Sequence, residues 1–278
     1  MNLGLVTDSP ADLPASLVER YQIEVVPATL IIAGKAYRDG IDLSRAEFYT
    51  RLPGMKSAPT TATPSPLEFA SRYRKLLQAG AEHVLGIFTA ERLTAIPNIA
   101  RQAARDFPGQ VTVLESGSLS LGIGFQVLAA AEAREQNLPL AAILAAVQST
   151  RQRLKVAAAL DTMDYLRRSG RLPAAVTALG GLLHIRPVVE LREGQVLPLG
   201  AARASAQATR LLRQSLLVLG PLEKLAVLHT NAADRAREFL ASLREAPGLP
   251  AQIEIVNVTT VIGTHVGPNG LGFAAVTA

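Results

Sequence analysis

The chain has 278 residues, which is enough for one large domain or two domains of ordinary size. Hydrophobic residues make up 49% and can build a core, whereas 4% aromatics and no tryptophan argue against a base-stacking surface or an aromatic sugar-binding cleft. The net charge is +5, but the arginines are scattered, which favours a solvated surface over a nucleic-acid groove.

The chain contains no cysteine, which excludes a disulfide framework, a thiol nucleophile and a cysteine-based zinc site. The opening "MNLGLVTDSP" lacks the basic stretch and apolar core of a signal peptide. No uncharged apolar run reaches the roughly 18 residues of a spanning helix. We therefore expect a cytoplasmic protein without stable membrane insertion, and transient membrane contact stays open.

Short apolar runs alternate with helical patterns through the first half of the chain. Buried strands are predicted at residues 3–8, 83–90 and 111–116. Residues 23–34 predict one bent strand or two short strands around Pro27, and residues 96–107 predict a helix. This alternation predicts a parallel α/β sheet.

Two segments carry helix-start signals. Ser44 and Glu47 form a capping box. In "SPLE", Ser65 is the predicted N-cap, followed by proline at the first helical position and glutamate at the third. This second helix is expected to cover residues 66–80.

The second half of the chain changes character after two helices, predicted at 121–136 and 140–154. Six short strands are predicted at residues 156–161, 186–191, 195–200, 224–230, 251–258 and 272–277. The spacing around residues 192–195 is that of a hairpin, so part of this sheet is antiparallel. Helices at 204–219 and 231–246 would cover one face. We place a domain boundary near residue 150, which gives domains 1–150 and 151–278.

The stretch "KSAPTTATPSP" at residues 56–66 has the composition of a loop. Thr60, Thr61 and Thr63 lie just before a predicted helix N-terminus, where free backbone N–H groups and the helix dipole favour a carboxylate or phosphate. Hydroxyl residues also cap helices for structural reasons, so both interpretations stay open.

The common enzyme motifs are missing from the sequence. It contains no phosphate-binding G-x-x-x-x-G-K-[ST], no complete dinucleotide fingerprint and no G-x-S-x-G elbow. Its four histidines have no helical spacing, so no metal site is expected; they are His83, His184, His229 and His265.

Three residues are candidates for acid–base chemistry. Asp8 and Glu115 each end a predicted strand, and the carboxyl ends of parallel strands border the ligand crevice of an open α/β sheet. His265 lies in "THVGPNGLG", which predicts a turn whose histidine could bind an anion or water. The alternative is that both carboxylates cap the next element and that His265 is an ordinary surface histidine.

Six stretches carry motifs that occur in order along the chain. They are "LVTDSPADLP", "VVPATLIIAGKAYRDGIDLSRAEFY", "TTATPSPLEF", "LESGSLSLGIG", "LDTMDYLRRSGRLPAA" with the following "LLHIRPVVELREGQVLPLGAAR", and "HVGPNGLG". Together they resemble the DegV family of bacterial fatty-acid-binding proteins. The resemblance implies a two-domain α/β fold, with an N-terminal parallel sheet domain and a C-terminal mixed or antiparallel sheet domain.

The resemblance also implies a function. One long-chain fatty acid would bind between the two domains, and a separate ATP-dependent kinase would convert its carboxylate to an acyl phosphate. The protein would then be a carrier without catalytic residues, metal or cofactor of its own. Thr61 would bind the carboxylate, His265 and Arg203 would lie near this head group, and Arg171 would face the kinase or the transferring phosphoryl group.

The sequence departs from the family pattern after the third strand. The family has a serine-rich S-S-x-L-S-G-T-Y-x-S-A stretch, whereas this chain has "AERLTAIPNIA". Ala90 replaces a serine, so a hydroxyl that would share the carboxylate with Thr61 is expected to be missing. Thr89, Thr94 or a backbone N–H would replace it, or the ligand differs.

Two other classes of function remain as alternatives. One is a small-molecule hydrolase or transferase that uses Asp8, Glu115 and His265. The other is a nucleic-acid or membrane-surface binder that uses the excess arginine, for which binding would depend steeply on salt. A carrier of a different lipid-like ligand is a variant of the fatty-acid carrier interpretation.

Overall fold

The structure, a computed structural model, describes residues 2–171, 185–244 and 246–278. The strands are β1 Leu3–Asp8, β2 Ile23–Val26, β3 Thr29–Ile32, β4 Lys35–Arg38, β5 Thr60–Ala62, β6 His83–Phe88, β7 Val111–Glu115, β8 Leu154–Ala159, β9 Arg186–Arg192, β10 Gln195–Ala202, β11 Leu222–His229, β12 Glu254–Asn257 and β13 Leu271–Thr277. The α-helices are α1 Ala15–Arg20, α2 Arg45–Arg51, α3 Pro66–Gln78, α4 Ile96–Ala104, α5 Leu121–Glu135, α6 Leu140–Arg153, α7 Asp164–Arg168, α8 Ser205–Leu217, α9 Ala233–Ser242 and α10 Thr260–Val266.

The first sheet is parallel, as predicted, and has the strand order β2-β1-β6-β7. Successive side chains of its strands point to opposite faces. On one face, Val6 and Phe88 pack with Phe69 of α3 and Ile96 of α4. The other face contributes Leu5 and its neighbours to a core that includes α5. Helix α3 begins with the predicted capping box at Ser65.

A small antiparallel sheet with the order β4-β3-β5 was not predicted. Residues 23–34 form two strands, as one alternative held, but Pro27 separates β2 of the parallel sheet from β3 of the small sheet. The loop expected at residues 56–66 contains strand β5, so that prediction was wrong for Thr60–Ala62. Three residues carry too little pattern to predict a strand, and β5 forms only because β3 supplies its hydrogen-bond partners.

The C-terminal sheet is mixed and has the order β10-β9-β8-β13-β11-β12. Its neighbours pair antiparallel except β11 and β12, which are parallel. As predicted, α8 and α9 cover one face, where Leu212 and Phe239 pack against Val227 and Phe273.

Helix α5 lies between the parallel sheet and the C-terminal sheet. Twelve of its fifteen residues are buried, so it is apolar on all sides rather than along one stripe. One hydrophobic cluster joins Leu5 of β1 and Val127 of α5 to Val156 of β8. The chain passes from α6 to β8 at residues 153–154, close to the predicted boundary, but the core continues across it. The division into domains 1–150 and 151–278 stays a prediction.

We expect Gly122→Ala to destabilise the protein by about 1 to 3 kcal/mol, because α5 packs too closely for an added methyl group. A Cβ at Gly122 would lie 2.8 Å from Val156 Cγ2. This cost exceeds the roughly 1 kcal/mol that alanine gains over glycine within a helix. Urea unfolding gives the free energy of unfolding. The matched control is Gly54→Ala, since nothing lies within 4 Å of its added Cβ. Equal stabilities of the two variants would contradict the close packing.

Candidate ligand-binding site

His265 lies in helix α10 and not in a turn, so the turn expected at residues 264–272 was wrong for this residue. The turn follows the helix, from Gly267. The segment "TTVIGTHV" is rich in β-branched residues, which have low helix propensity, and therefore does not read as a helix. Thr259 caps it, because its Oγ1 accepts a hydrogen bond from the N–H of Ile262 at 3.5 Å.

Two buried aspartates hold the N-terminus of α10. Asp12 Oδ1 accepts from the N–H of Thr259 at 2.8 Å. Asp39 Oδ1 accepts from the Thr260 N–H at 3.3 Å and from its hydroxyl at 2.6 Å. Negative charge is favourable at this end of a helix. Arg45 contacts Asp12 at 3.2 Å. Burial raises the pKa of Asp12 to about 7, although Arg45 opposes this shift.

Glycines allow α10 to approach its neighbours closely. A Cβ at Gly263 would lie 2.6 Å from Cε1 of Tyr49 on α2. A Cβ at Gly267, whose φ is +77°, would lie 2.6 Å from Cε2 of Tyr165 on α7. The Tyr49 hydroxyl also donates to the carbonyl of Val258 at 3.1 Å. These contacts position His265 relative to α2 and α7.

His265 meets Thr61 across this junction. Thr61 pairs with Leu30 in the small sheet, and its Oγ1 lies 3.2 Å from His265 Nε2. Burial lowers the pKa of His265 to about 4, and the nearby Arg171 charge lowers it further. The imidazole is therefore neutral at pH 7, and its two nitrogens present one donor and one acceptor.

A cavity begins at this pair. Its polar lining consists of Thr61, Thr89, Thr94, Arg171 and His265. Arg171 is exposed as well as lining the cavity, so it marks the mouth. The structure thus brings together five of the residues singled out from the sequence.

The carboxylate of Asp8 accepts hydrogen bonds from Thr89. Asp8, at the end of β1, is fully buried, and its Oδ2 accepts from the Thr89 N–H at 3.1 Å and from the Thr89 hydroxyl at 2.6 Å. Burial raises the pKa of Asp8 to about 6, although the two hydrogen bonds from Thr89 lower it.

A second cavity adjoins the first and is apolar. The two share five lining residues, which are Leu119, Leu166, Val196, Ile262 and Val266. The second cavity continues along the C-terminal sheet past Val156, Ala158 and Leu228. Its lining also includes Ser120, Glu190, His229 and Thr230, but the surface it exposes is almost entirely apolar. Together the two cavities form a slot with polar groups exposed at one end and apolar surface along the rest.

Two of the residues considered in the sequence lie elsewhere. Ala90 is buried beneath the β9–β10 hairpin, where a Cβ added at Gly194 would lie 3.1 Å from the Cβ of Ala90. Arg203 is exposed and lies outside both cavities, and Arg186 donates to its carbonyl at 2.8 Å. His184 lies outside the described residues.

The structure does not assemble Asp8, Glu115 and His265 into one site. Strand β6 separates Asp8 from Glu115 in the sheet. Burial tends to raise the pKa of Glu115, but hydrogen bonds, above all from Arg151 at 2.8 Å, hold it below its usual value. A carboxylate that is paired with Arg151 and lines neither cavity gives no support to the hydrolase alternative.

Within the described ranges, no group of three or more histidine or acidic side chains is placed to hold a metal ion. In the same part of the chain, no helix is both long enough and apolar enough to span a membrane.

The model of the DegV family, described as "Uncharacterised protein, DegV family", matches residues 2–278. The chain belongs to the DegV family. A DegV domain-containing protein from Streptomyces coelicolor is 33% identical over 275 residues, covering 98% of this chain and 97% of that protein.

Solved DegV structures confirm the predicted fold class. A DegV family protein from Thermus thermophilus, described by its fatty acid binding, has a TM-score of 0.93 at 32% identity, with 100% of both chains covered. A protein from Thermotoga maritima, whose structure is described as revealing a fatty acid binding function, has a TM-score of 0.87 at 26% identity, again with 100% of both chains covered.

At the departure from the DegV motif, Ala90 itself does not line either cavity and packs against the β9–β10 hairpin. Thr94 does line the cavity, and its Oγ1 accepts only a long hydrogen bond from the Ile96 N–H at 3.4 Å. Within the described ranges, its hydroxyl proton has no acceptor. Thr89 differs, because it already donates its proton to Asp8.

Sequence reasoning missed the residues that support this DegV site. Asp12 and Ser120 lie in the quoted DegV motifs, but only the fold shows that the Ser120 hydroxyl donates to Asp12 Oδ2 at 2.7 Å. Asp39 and Tyr49 belong to another motif and reach α10 from more than 200 positions away in the chain. The motifs were the available signal, and the contacts were not readable from them.

Ser120 has a strained backbone, with φ of 52° and ψ of −144°, and lines the apolar cavity. Ser120→Ala would lose the hydroxyl and keep the strain, whereas Ser120→Gly would lose the hydroxyl and relieve it. We expect the free energy of unfolding, measured with urea, to be about 1 to 2 kcal/mol higher for the glycine variant than for the alanine variant. An alanine variant at least as stable as the glycine variant would show that the strain is absent.

Proposed function

We propose that this DegV protein binds a long-chain fatty acid, with the carboxylate at Thr61, Thr94 and His265 and the tail in the apolar cavity. The observation that carries the proposal is the pair of adjoining cavities, one with polar groups facing it and one whose exposed surface is almost wholly apolar. The fatty acid binding of the related proteins from Thermus thermophilus and Thermotoga maritima supports the same ligand class.

The energetics of such a slot agree with a carrier. Burial of an acyl tail contributes about 0.8 kcal/mol per CH₂ group, so the tail provides most of the affinity. The head-group residues then have to fix the orientation and satisfy a buried carboxylate. With its proton on Nε2, neutral His265 can donate to Thr61 Oγ1, which leaves the hydroxyl protons of Thr61 and Thr94 for the carboxylate.

The proposed site joins the two halves of the chain. Thr61, Thr89 and Thr94 come from the N-terminal half, whereas Arg171, Val196 and His265 come from the C-terminal half. This arrangement supports a ligand between the predicted domains 1–150 and 151–278.

A separate ATP-dependent kinase is proposed as the partner that phosphorylates the bound carboxylate. The chain has no phosphate-binding motif of its own, so it would act as a carrier without catalytic residues. Arg171 stands at the mouth on the head-group side, where a guanidinium would stabilise charge that develops on the transferring phosphoryl group. Because the kinase would use ATP, the proposed compartment is the cytoplasm.

Thr61→Val should weaken fatty-acid binding about 10- to 100-fold, because it removes a hydrogen bond to a charged group worth roughly 1.5 to 3 kcal/mol. The measurement is a titration with palmitate in which the heat of binding is recorded by calorimetry. The matched control is Thr60→Val on the same strand, since Thr60 is exposed and outside the cavity. If palmitate binds neither the wild-type protein nor the variants, the carrier proposal fails. If Thr61→Val binds like the control, the head group is held elsewhere.

Arg171→Ala should lower acyl-phosphate formation at least tenfold while palmitate affinity changes little, because the guanidinium acts on the transferred group. The assay combines the protein, palmitate and ATP with a purified fatty-acid kinase from the same organism. Arg168→Ala is the control, since Arg168 is exposed on α7 and outside both cavities. Product formed without the kinase would contradict the proposed partnership. Equal rates for both variants would contradict the role of Arg171.

A further inference from the structure

The Asp8–Thr89 hydrogen bond limits what the head-group end of the slot can bind. A threonine hydroxyl has one proton to donate. The Thr89 hydroxyl donates that proton to Asp8 Oδ2 at 2.6 Å while the same side chain lines the cavity. With Asp8 ionised, Thr89 therefore presents only lone pairs to a ligand, and lone pairs repel a carboxylate.

We propose that Asp8 decides whether Thr89 can donate to the ligand carboxylate, so that binding of the fatty acid takes up a proton at Asp8. This inference rests on the proposed fatty-acid binding. In the exchange, a proton from solvent converts the Asp8 carboxylate to a carboxylic acid. The Thr89 O–H then turns from Asp8 to a carboxylate oxygen of the ligand.

The reason is the difference between charged and neutral acceptors. Hydrogen bonds to an ionised carboxylate are roughly twice as strong as those to a neutral group. Ionised Asp8 therefore keeps the hydrogen bond from the Thr89 hydroxyl. Once Asp8 is protonated, this hydrogen bond can be broken at a small cost in free energy. Protonation also removes a negative charge that would face the ligand across a single side chain.

The surroundings of Asp8 favour a proton over an ion pair. Asp8 lines a third cavity, on the side away from the ligand slot, with Asp39 and Arg45 as the other charged lining residues in the part of the chain described. Asp8 Oδ1 and Asp39 Oδ2 are both buried without a hydrogen-bond partner there. Arg45 contacts Asp12 instead, at 3.2 Å.

The negative charge of Asp39 acts in the same direction. Asp39 raises the pKa of Asp8, in addition to the larger effect of burial, and this pKa reaches about 6. On the ligand side of Thr89, the cavity contains neutral His265 and the Arg171 cation at its mouth. A bound carboxylate would raise the Asp8 pKa further, and by linkage a protonated Asp8 raises the affinity for the carboxylate.

The test compares wild type with Asp8→Asn, which imitates the protonated state. Affinities for cis-parinaric acid, a long-chain fatty acid that fluoresces in apolar sites, are measured at about pH 8 and about pH 5.5, on either side of the Asp8 pKa. We expect Asp8→Asn to bind about tenfold more tightly than wild type at the higher pH and equally at the lower pH. The ratio at each pH cancels the titration of the ligand itself.

Two substitutions at Thr89 separate the donor from the charge. Thr89→Ser keeps the hydroxyl and should keep the wild-type pH profile. Thr89→Val has no hydroxyl, so its gain in affinity from about pH 8 to about pH 5.5 should be clearly smaller than that of Thr89→Ser and should reflect only the charge of Asp8. A wild-type profile in Thr89→Val would overturn the inference, because the charge of Asp8 alone would then explain it. This pair also decides the question if Asp8→Asn fails to fold, which thermal unfolding reports.

The remaining outcomes distinguish this inference from the proposed function. If Asp8→Asn binds more weakly at both pH values with an unchanged profile, Asp8 is only a structural support for Thr89 and the inference is wrong. If wild type binds no fatty acid at either pH, the proposed function itself fails.

Discussion

The buried carboxylate of Asp12 is the contact on which the ligand slot depends. It accepts hydrogen bonds from Ser120 at the start of α5 and from Thr259 at the start of α10, and it contacts Arg45 of α2. These three elements come from distant parts of the chain. Ser120 and α10 line the slot, and α2 packs against α10 from the outside. Burying a carboxylate without partners costs on the order of several kcal/mol of free energy. The Asp12 carboxylate therefore keeps its three partners, and the elements that carry them, in contact. The position of His265 follows from this junction.

Helix α5 provides the second constraint, because it fills the space between two sheets. Its burial on all sides makes one core of the two halves and leaves the apolar slot between α10 and the C-terminal sheet. The slot therefore has walls from both halves, whereas its polar end collects threonines from the edge of the small sheet and from the end of β6. A ligand that is apolar along its length and anionic at one end matches this distribution.

Much of this architecture could be predicted from local pattern. The parallel sheet follows from alternating apolar and helical runs, and the start of α3 follows from the Ser65 capping box. The small sheet could not be predicted, because β5 has three residues and exists only through its pairing with β3. Helix α10 was missed because its β-branched residues have low helix propensity, and buried aspartates at its N-terminus compensate for this.

The site shows the same division. Its family motifs and the candidate residues Thr61, Arg171 and His265 were readable in the sequence by itself, because residue type and order along the chain are local properties. Only the tertiary structure decided that Ala90 turns away from the slot and that Thr94 lines it. It also decided that the Thr89 hydroxyl already donates its proton in a hydrogen bond to Asp8. Hydrogen-bond donors are assigned by contacts between distant segments, and no local pattern records which proton is already in use.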